Sequence, residues 1–394
     1  MKKKLASIVL MLAISVGILG CTSTSDSGEK AQGTTAEVAS ETVTEAESSK
    51  EGSAQAEEGA TKIIIDNEGN EVEIPTQIDR IVVTAWQIPA PLTVYLGSAE
   101  KIVGIAPQSM AAAENSVLSV VYPEILNAST AFYDGSNLNI EELLKLDPDI
   151  VIGPTGDMAQ SIRDLGIPVV SISTSRWGGD VVTTTEEWLK LFEDIFGENE
   201  IAEKVQEYNK KVQAEIEKRV SGLSEDEIKK VMFLFNYGEE TISTPANGHF
   251  GQAWSNYAGA HHAAAEIEGT GQATINMEQI YEWNPDVVLI TNFNSAQPED
   301  LYNNTIGNYD WSSINAVQNK EVYKMPLGWY RSYTPGIDVG VTMQWIAKTI
   351  YPDLFADVDI EEVTKEYFSS CFGIELTDEQ IEKIFNPPSA ASAY

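Results

Sequence analysis

From about residue 61 onward, short apolar runs alternate with segments of helical periodicity. Runs rich in β-branched residues and bounded by turn residues predict buried strands, and the segments between them predict helices. Regular alternation of strands and helices predicts an α/β fold with parallel sheets. The predicted strands are Arg80–Thr84, Ile102–Ile105, Ile150–Ile152, Ile167–Ile172, Lys230–Phe235, Val287–Ile290 and Val322–Met325, and two of the predicted helices are Ala90–Leu96 and Trp254–Ile267.

One strand–helix pattern occurs twice in the chain. Residues Asn139–Ile152 and Asn276–Leu289 align without a gap at an offset of 137 residues. Each begins with Asn-x-Glu, continues with an apolar helical pattern, and ends with Pro-Asp before a β-branched run. Asn is a good helix N-cap, a nearby Glu complements the positive helix end, and Pro stops the helix. The repeat therefore predicts two similar α/β lobes.

The segment between the two halves predicts two consecutive helices. Thr184 or Thr185 is expected to cap a helix that runs to Phe196 and stops at Gly197. A second helix, Glu198–Ser221, would extend roughly 36 Å. It is compatible with an ordinary amphipathic surface helix and, more specifically, with a rigid strut between two lobes. Its apolar face consists of Ile201, Val205, Tyr208, Val212, Ile216 and Val220.

The first 60 residues have the composition of a leader and a tether. Three lysines, Lys2–Lys4, precede an apolar stretch that is too short for a typical membrane span. Ile18-Leu19-Gly20-Cys21 resembles the bacterial lipoprotein box, which implies cleavage before Cys21 and lipidation of its thiol. The alternative is an ordinary secretory signal with an incidental cysteine. The polar residues up to 60 cannot bury enough apolar area to fold.

These patterns give an expected domain organisation. We expect a signal peptide at 1–20, a disordered tether at 21–60, an N-terminal lobe at 61–183, a helical segment at 184–222 and a C-terminal lobe at 223–394.

Composition argues against nucleic-acid binding and against a disulfide framework. The 394 residues include 25 Lys and Arg against 60 Asp and Glu, which gives a net charge of −35. A chain this acidic is poorly suited to binding nucleic acid through phosphate contacts. Its two cysteines, Cys21 and Cys371, cannot build a disulfide framework, and Cys371 is interpreted as a small buried hydrophobe.

Signatures of enzymes are also missing from the sequence. It contains no Gly-x-Ser-x-Gly, His-Glu-x-x-His or Walker A pattern. Gly269-Thr-Gly271 is interpreted as a turn, and so is Asp147-Pro-Asp149, because its twin carries Asn284 at the first acidic position. We therefore expect a protein that is not an enzyme and needs no cofactor.

Taken together, these features resemble one protein family. The lipoprotein box, the tether, the twin motifs and the connecting helix are similar to ABC-transporter substrate-binding proteins of the ferric-siderophore, haem and cobalamin type. Further similarities are Asp79–Val83, Tyr95–Gly97, Met325-Pro326, Gln344–Phe355 and Leu376–Asp378. The resemblance implies two Rossmann-like lobes with parallel sheets joined by a long α-helix, the class III periplasmic-binding-protein architecture.

The resemblance also implies partners and a location. Glu141 and Glu278 match the exposed glutamates, one on each lobe, that dock onto arginines of the importer permease. The protein would be a monomer, bind a small-molecule metal chelate such as a ferric chelate, and be lipid-anchored at the outer face of the bacterial cell membrane. Nucleic acid is not an expected partner.

Candidate ligand contacts follow from topology, because ligands of open α/β sheets lie beyond the carboxyl ends of the strands. Taken singly, each aromatic residue is as compatible with core packing as with a ligand. The run 329–331 is favoured because three large side chains in a loop bounded by Gly and Pro are not expected to share one core. The resemblance adds Tyr133 and Asp134, which match a ligand-contacting loop of the family. The candidates are Trp86, Gln87, Tyr133, Asp134, Asp157, Trp177, Tyr237, His249, Phe293, Trp329, Tyr330 and Arg331.

The sequence is compatible with several ligands. Molybdate or tungstate, cobalamin, haem and bare ferric iron are alternatives to a ferric siderophore. His261 and His262, adjacent on a predicted helix, are not expected to hold one metal ion together, and no metal site is predicted. From another functional class, the scaffold would also suit a surface interaction or haem-capture protein without a permease. A hydrolytic enzyme is a third, weaker alternative.

Overall fold

The computed structural model describes residues 59–135 and 137–392. The lipoprotein-box Cys21 and almost all of the proposed tether lie outside the described residues. No helix in the described part of the chain has both the length and the apolar character needed to cross a membrane.

The strands of the described residues fall into five groups by pairing, two of them parallel sheets. In chain order, the strands are β1 (Thr61–Ile65), β2 (Glu71–Pro75), β3 (Ile81–Val83), β4 (Ile102–Ile105), β5 (Tyr133–Asp134), β6 (Asn137–Leu138), β7 (Ile150–Gly153), β8 (Val169–Ser171), β9 (Lys230–Leu234), β10 (Asn236–Tyr237), β11 (Ile242–Pro245), β12 (His261–His262), β13 (Gln272–Ile275), β14 (Val287–Ile290) and β15 (Val322–Lys324).

Helices connect these strands and cover the sheets. They are α1 (Pro89–Leu96), α2 (Pro107–Asn115), α3 (Leu118–Val121), α4 (Ile140–Lys145), α5 (Gly156–Arg163), α6 (Val181–Phe196), α7 (Glu200–Val220), α8 (Phe250–Tyr257), α9 (Met277–Trp283), α10 (Pro298–Asn303), α11 (Asn315–Gln318), α12 (Val339–Ile350), α13 (Ile360–Phe372) and α14 (Asp378–Phe385). Short 3-10 turns lie at Pro123–Asn127, Glu225–Glu227 and Ser389–Ser392.

Two four-stranded parallel sheets form the centres of the two lobes. The first has the order β4-β3-β7-β8 and the second the order β12-β9-β14-β15. Every residue of the central strands β3, β7 and β14 is buried, as expected for parallel strands covered on both faces. An antiparallel sheet, β10-β11-β13, adds to the second lobe. The predicted α/β class with two parallel-sheet lobes is confirmed.

The sequence repeat corresponds to a repeated structural joint. Asn139 and Asn276 cap α4 and α9 through the backbone N–H groups of Glu142 and Gln279. The residues before the two prolines, Asp147 and Asn284, have left-handed φ values of 43° and 42°. Asp and Asn tolerate this conformation better than most residues, which explains why one repeat has Asp and the other has Asn at this position.

The acidic residue after each proline anchors the neighbouring strand. The Asp149 carboxylate accepts hydrogen bonds from the N–H groups of Asp79 and Arg80 at 2.7 and 2.8 Å. In the second lobe, Asp286 accepts from the N–H of Lys230 at 2.9 Å. Both Pro-Asp segments are thus structural turns that fix where β3 and β9 begin.

Helix α6 begins earlier than predicted. The Asp180 carboxylate, not Thr184 or Thr185, caps it by accepting from the N–H of Thr183 at 2.7 Å. Helix α7 is capped by Asn199 and buries Val205, Val212 and Ile216 on one face. It packs on α12, where Gly340 leaves room for its neighbours.

The prediction of one helix over Trp254–Ile267 is wrong. Helix α8 ends at Tyr257, and Gly259 adopts a left-handed φ of 67° that breaks the helix. His261 and His262 then form the short strand β12, which pairs with β9. Their side chains point to opposite faces, so His262 is buried and His261 is exposed.

Candidate functional site

Aromatic and basic side chains meet at the carboxyl ends of the second parallel sheet. Phe235 follows β9, Phe293 follows β14, and the segment 325–338 follows β15. His249 precedes α8 and approaches the same place. We call this group the Arg331 cluster, and its members are Phe235, His249, Phe293, Tyr330, Arg331 and Tyr333.

Arg331 lies at the centre of the cluster with 1% of its surface exposed. Its guanidinium carbon lies 4.8 Å from the centre of the Phe293 ring and 5.4 Å from that of Tyr330. Phe293 in turn stacks on Phe235 at 4.7 Å. Arginine is stabilised over aromatic faces and keeps a planar fork of donors, which suits it to carboxylate, phosphate or catecholate oxygens.

A hydrogen bond joins the side chains of His249 and Tyr333. The Tyr333 hydroxyl accepts from the N–H of Gly251 at 3.1 Å, and its oxygen lies 2.8 Å from Nδ1 of His249, within hydrogen-bond distance. Burial lowers the pKa of His249 to about 4, so the ring is neutral at physiological pH. In the tautomer in which the Tyr333 hydroxyl donates to Nδ1, Nε2 carries the proton and His249 presents a neutral donor.

The Lys324 side chain lies near Arg331 and is bonded to three backbone carbonyl groups. The Lys324 amine donates to the carbonyl oxygens of Thr291, Asn294 and Ala296 at 3.0, 2.6 and 3.0 Å. Burial and the nearby charge of Arg331 lower the pKa of Lys324 to about 7. With a pKa of about 7, the amine is only partly charged at neutral pH, and its hydrogen bonds to three carbonyl oxygens hold the loop 291–296 beside Arg331.

The loop that carries Arg331 is held at several points. The buried Asp338 carboxylate accepts from the N–H of Trp329 at 3.0 Å, and the Trp254 indole donates to the Tyr333 carbonyl at 2.8 Å. The Asn292 amide donates to the carbonyls of Met325 and Pro326 at 2.9 Å each. These bonds place the cluster on a loop with little freedom, as a preorganised site requires.

The first lobe contributes candidates at the ends of β3 and β7. Trp86 is half-buried, and its carbonyl accepts from the Ser109 hydroxyl at 2.8 Å. Tyr133 reaches the carbonyl of Thr84 at 3.4 Å, so the loop 133–135 does lie beside the end of β3. Gln87 is half-buried, and Asp134 and Asp157 are exposed.

Direct contacts join the two lobes. The Tyr257 hydroxyl donates to the Asp180 carboxylate at 2.6 Å. A Cβ built on Gly179 would lie 2.7 Å from the carbonyl oxygen of Gly248, so the backbones are closely apposed there. Burial and Asp180 raise the pKa of Tyr257, so it remains a donor.

Three residues that were predicted to contact the ligand lie outside the Arg331 cluster. Trp329 is buried against Phe368, with ring centroids 4.7 Å apart, and is part of the core. Tyr237 is buried in the second lobe, where its hydroxyl accepts from the Trp311 indole at 2.9 Å. Trp177 lines a separate surface cavity of about 290 Å³ between the β1–β2 hairpin and α6.

All three side chains of the run 329–331 are buried, which the sequence did not predict. Trp329, Tyr330 and Arg331 are 1%, 7% and 1% exposed. Arg331 is accommodated because its charge lies over aromatic rings instead of in an aliphatic interior. The sequence-based prediction missed Phe235 and Tyr333, although Phe235 follows a strong strand and Tyr333 lies two residues after Arg331.

The twin helices α4 and α9 expose equivalent positions. Glu141 and Glu278 are both exposed in the first turn. One turn later, Leu144 and Tyr281 are 48% and 42% exposed, which is unusual for large apolar side chains in this chain. Each helix thus presents a carboxylate and an apolar side chain on one face.

No three His, Cys, Asp or Glu side chains converge as a metal site within the described residues. His261 contacts Glu225, and His262 contacts the Pro245 carbonyl at 2.9 Å.

Comparison with known proteins identifies relatives across most of the chain. Residues 89–327 match the family model described as periplasmic binding protein. The chain is 28% identical over 335 residues to the molybdate-binding protein MolA of Haemophilus influenzae, covering 79% of this chain and 91% of that protein.

Solved structures show the same fold. A periplasmic solute binding protein from Veillonella parvula superposes with a TM-score of 0.72 at 30% identity, covering 83% of this chain and 97% of that one. Helicobacter pylori CeuE, in a complex with nickel and histidine, gives a TM-score of 0.65 at 21% identity, covering 83% and 99%. At that identity, the second likeness concerns the fold alone.

Proposed function

We propose, from the premise that the chain belongs to the periplasmic binding protein family, that it captures an anionic metal chelate of the ferric-siderophore type. It is a substrate-binding protein of an ABC importer, and its place is outside the cytoplasm. The proposed ligand binds between the lobes at the Arg331 cluster and is handed to the permease without bond chemistry.

The observation that carries this proposal is the placement of Arg331. A buried guanidinium over two aromatic rings, in the same cluster as the neutral His249, matches a ligand that combines planar rings with negative charge. Ferric catecholates have both properties. The cluster lies at the carboxyl ends of parallel strands, where α/β folds bind ligands.

A second candidate ligand is supported by a relative. The similarity to a molybdate-binding protein extends over most of both chains. A tetrahedral oxyanion would use the same two donors, Arg331 and His249, but would make little use of the aromatic faces. The two candidates therefore differ in whether the rings contribute to affinity.

Docking to the permease is proposed for the twin helices. Glu141 and Glu278 are exposed where carboxylates can pair with arginine, and Leu144 and Tyr281 offer apolar contact beside them. Anchoring is proposed at Cys21 through a lipidated thiol. Incorporation of a labelled fatty acid that is lost in C21A would support the anchor, and unchanged labelling would refute it.

A ligand panel tests the proposed function. Tryptophan fluorescence and thermal unfolding of the full chain would be followed with ferric catecholate, ferric hydroxamate, ferric citrate, haem, cobalamin, molybdate and tungstate. A specific ligand at 100 times its Kd should add about 2.7 kcal/mol to stability. Binding of a ferric chelate supports the proposal, binding of oxyanions alone supports the second candidate, and no binding refutes both.

A further inference from the structure

The segment that follows α14 returns to the cleft. Pro387 and Pro388 end the helix, and Ser389–Ser392 form a 3-10 turn in which the N–H of Ala391 donates to the Pro388 carbonyl at 2.9 Å. We call residues 388–392 the C-terminal segment. Its residues Pro388, Ser389 and Ala390 are exposed, whereas Ala391 and Ser392 are buried.

The buried end of this segment contacts both lobes. In the second lobe, Nη2 of Arg331 donates to the Ala391 carbonyl at 3.3 Å. In the first lobe, the turn packs against α2, which begins directly after β4 at the carboxyl edge of the sheet. The segment therefore lies between the lobes, at the place where the proposed ligand would bind.

We infer that the C-terminal segment is an intramolecular occupant of the ligand cleft, which a ligand must displace from Arg331 in order to bind. This inference rests on the proposed function, because it takes the Arg331 cluster to be the ligand site. The Ala391 carbonyl takes the position of a ligand oxygen on the guanidinium fork.

The contacts of the segment suit reversible docking. The bond from Arg331 to Ala391 is long for an N–H···O hydrogen bond. The Ser392 hydroxyl is buried without a hydrogen-bond partner among the described residues, which opposes docking. Pro388 and the preceding Pro387 restrict the free chain, so docking costs less conformational entropy than it would for a segment without proline.

The base of the segment is fixed, so that release would be local. The N–H of Leu327 donates to the Ile384 carbonyl at 2.8 Å, which ties the end of α14 to the loop that carries Arg331. The segment can therefore leave and return without unfolding α14, and its local concentration at the cluster stays high.

Thiol labelling of two neighbouring positions tests whether the segment is docked in solution. Ala391 is fully buried and Ala390 is exposed, so A391C and A390C in the full chain form a matched pair. Cys371 is buried and Cys21 is common to both variants. We expect A391C to react at least about 10-fold more slowly than A390C, in proportion to the docked fraction. Equal rates would overturn the inference.

A second pair of variants tests competition without depending on the thiols. A391R places a like charge beside Arg331 and should expel the segment, whereas A390R adds the same side chain at an exposed position. A segment docked about 90% of the time weakens apparent affinity about 10-fold. A391R and a chain ending at Pro387 should therefore bind ferric catecholate or molybdate about 10-fold more tightly than wild type, with A390R unchanged.

The outcomes separate this inference from the proposed function. Slow labelling of A391C that is accelerated by ferric catecholate or molybdate supports both. If the wild-type and truncated chains bind a ligand with equal affinity, the segment does not compete with that ligand, and the inference is overturned. If neither ligand binds either form, the proposed ligand class fails, while slow labelling of A391C still supports the place of the segment in the cleft.

Discussion

Asp338 gives the stability of this protein a defined pH dependence. Its carboxylate is buried and accepts from the N–H of Trp329, at the start of the loop that carries Arg331. Burial raises its pKa from 3.8 to about 6. Because the folded state then holds a proton that the unfolded state releases, stability falls as the pH rises from about 4 to about 6 and levels off above that.

The size of this effect follows from the two pKa values. At 1.36 kcal/mol per pH unit, the gap between 3.8 and about 6 corresponds to about 3 kcal/mol of stability lost near neutral pH. D338N keeps an acceptor for Trp329 and removes the charge. We expect D338N to be about as stable as wild type near pH 4 and more stable than it by roughly 1–3 kcal/mol at neutral pH.

Urea unfolding of both proteins, in steps from about pH 4 to about pH 8, measures the difference directly. The contributions of the other carboxylates to the pH dependence cancel when the D338N and wild-type curves are subtracted. D353N, which removes the same formal charge at an exposed position, is the matched control for a general effect of net charge. A difference between D338N and wild type that does not change with pH would refute the role assigned to the buried carboxylate.

Three further predictions concern the ligand, the permease and the lobe contact. R331Q should weaken an anionic ligand by about 30-fold or more, since removal of one partner of a buried charge pair costs about 2–5 kcal/mol; titration of the panel ligands measures it. E141A combined with E278A should leave affinity intact and abolish uptake, as measured by transport of the labelled ligand into cells. Y257F removes a bond to the Asp180 carboxylate and should lower stability to urea by about 1–2 kcal/mol.

Each of these predictions has a control and a refuting outcome. K211Q removes a positive charge at an exposed position of α7, so an equal loss of affinity in K211Q and R331Q would point to net charge alone. E282A lies on α9 with Glu278, and loss of uptake in E282A would argue against specific docking by Glu278. Unchanged stability of Y257F would show that the lobe contact contributes nothing measurable.

The parts of the fold that the sequence predicts well are those fixed by local chemistry. The Asn caps, the Pro-Asp turns and the β-branched runs of the twin motifs occur as expected, because each depends on neighbours within a few residues. The end of α8 was missed because an apolar pattern continues past Tyr257, whereas the left-handed Gly259 decides the break. Asp180 was missed as a cap because two threonines nearby gave an equally good signal.

The site was predicted less well because the sequence does not distinguish an aromatic residue buried in the core from one buried at the ligand site. Trp329 and Phe293 both follow strands and are both buried, yet Trp329 stacks on Phe368 and Phe293 lies under Arg331. Only the three-dimensional path of α13 separates the two cases. Likewise, Ala391 carries no signal for burial in its sequence, since its position depends on where α14 ends.

The lobe contacts and the C-terminal segment together bear on how a ligand enters. Two helices, α6 and α7, join the lobes in sequence, and Tyr257 with Asp180 and the close approach of Gly179 to Gly248 join them in space. Thr185 and Gly336 exchange further hydrogen bonds, the one donated by the Gly336 N–H being 3.1 Å long. Wide separation of the lobes would break all of these contacts at once, whereas release of residues 388–392 breaks, among the contacts described above, the 3.3 Å hydrogen bond from Arg331 to Ala391 and the packing of the turn on α2. Access to the Arg331 cluster is therefore expected to depend first on the small segment and only then on the lobes.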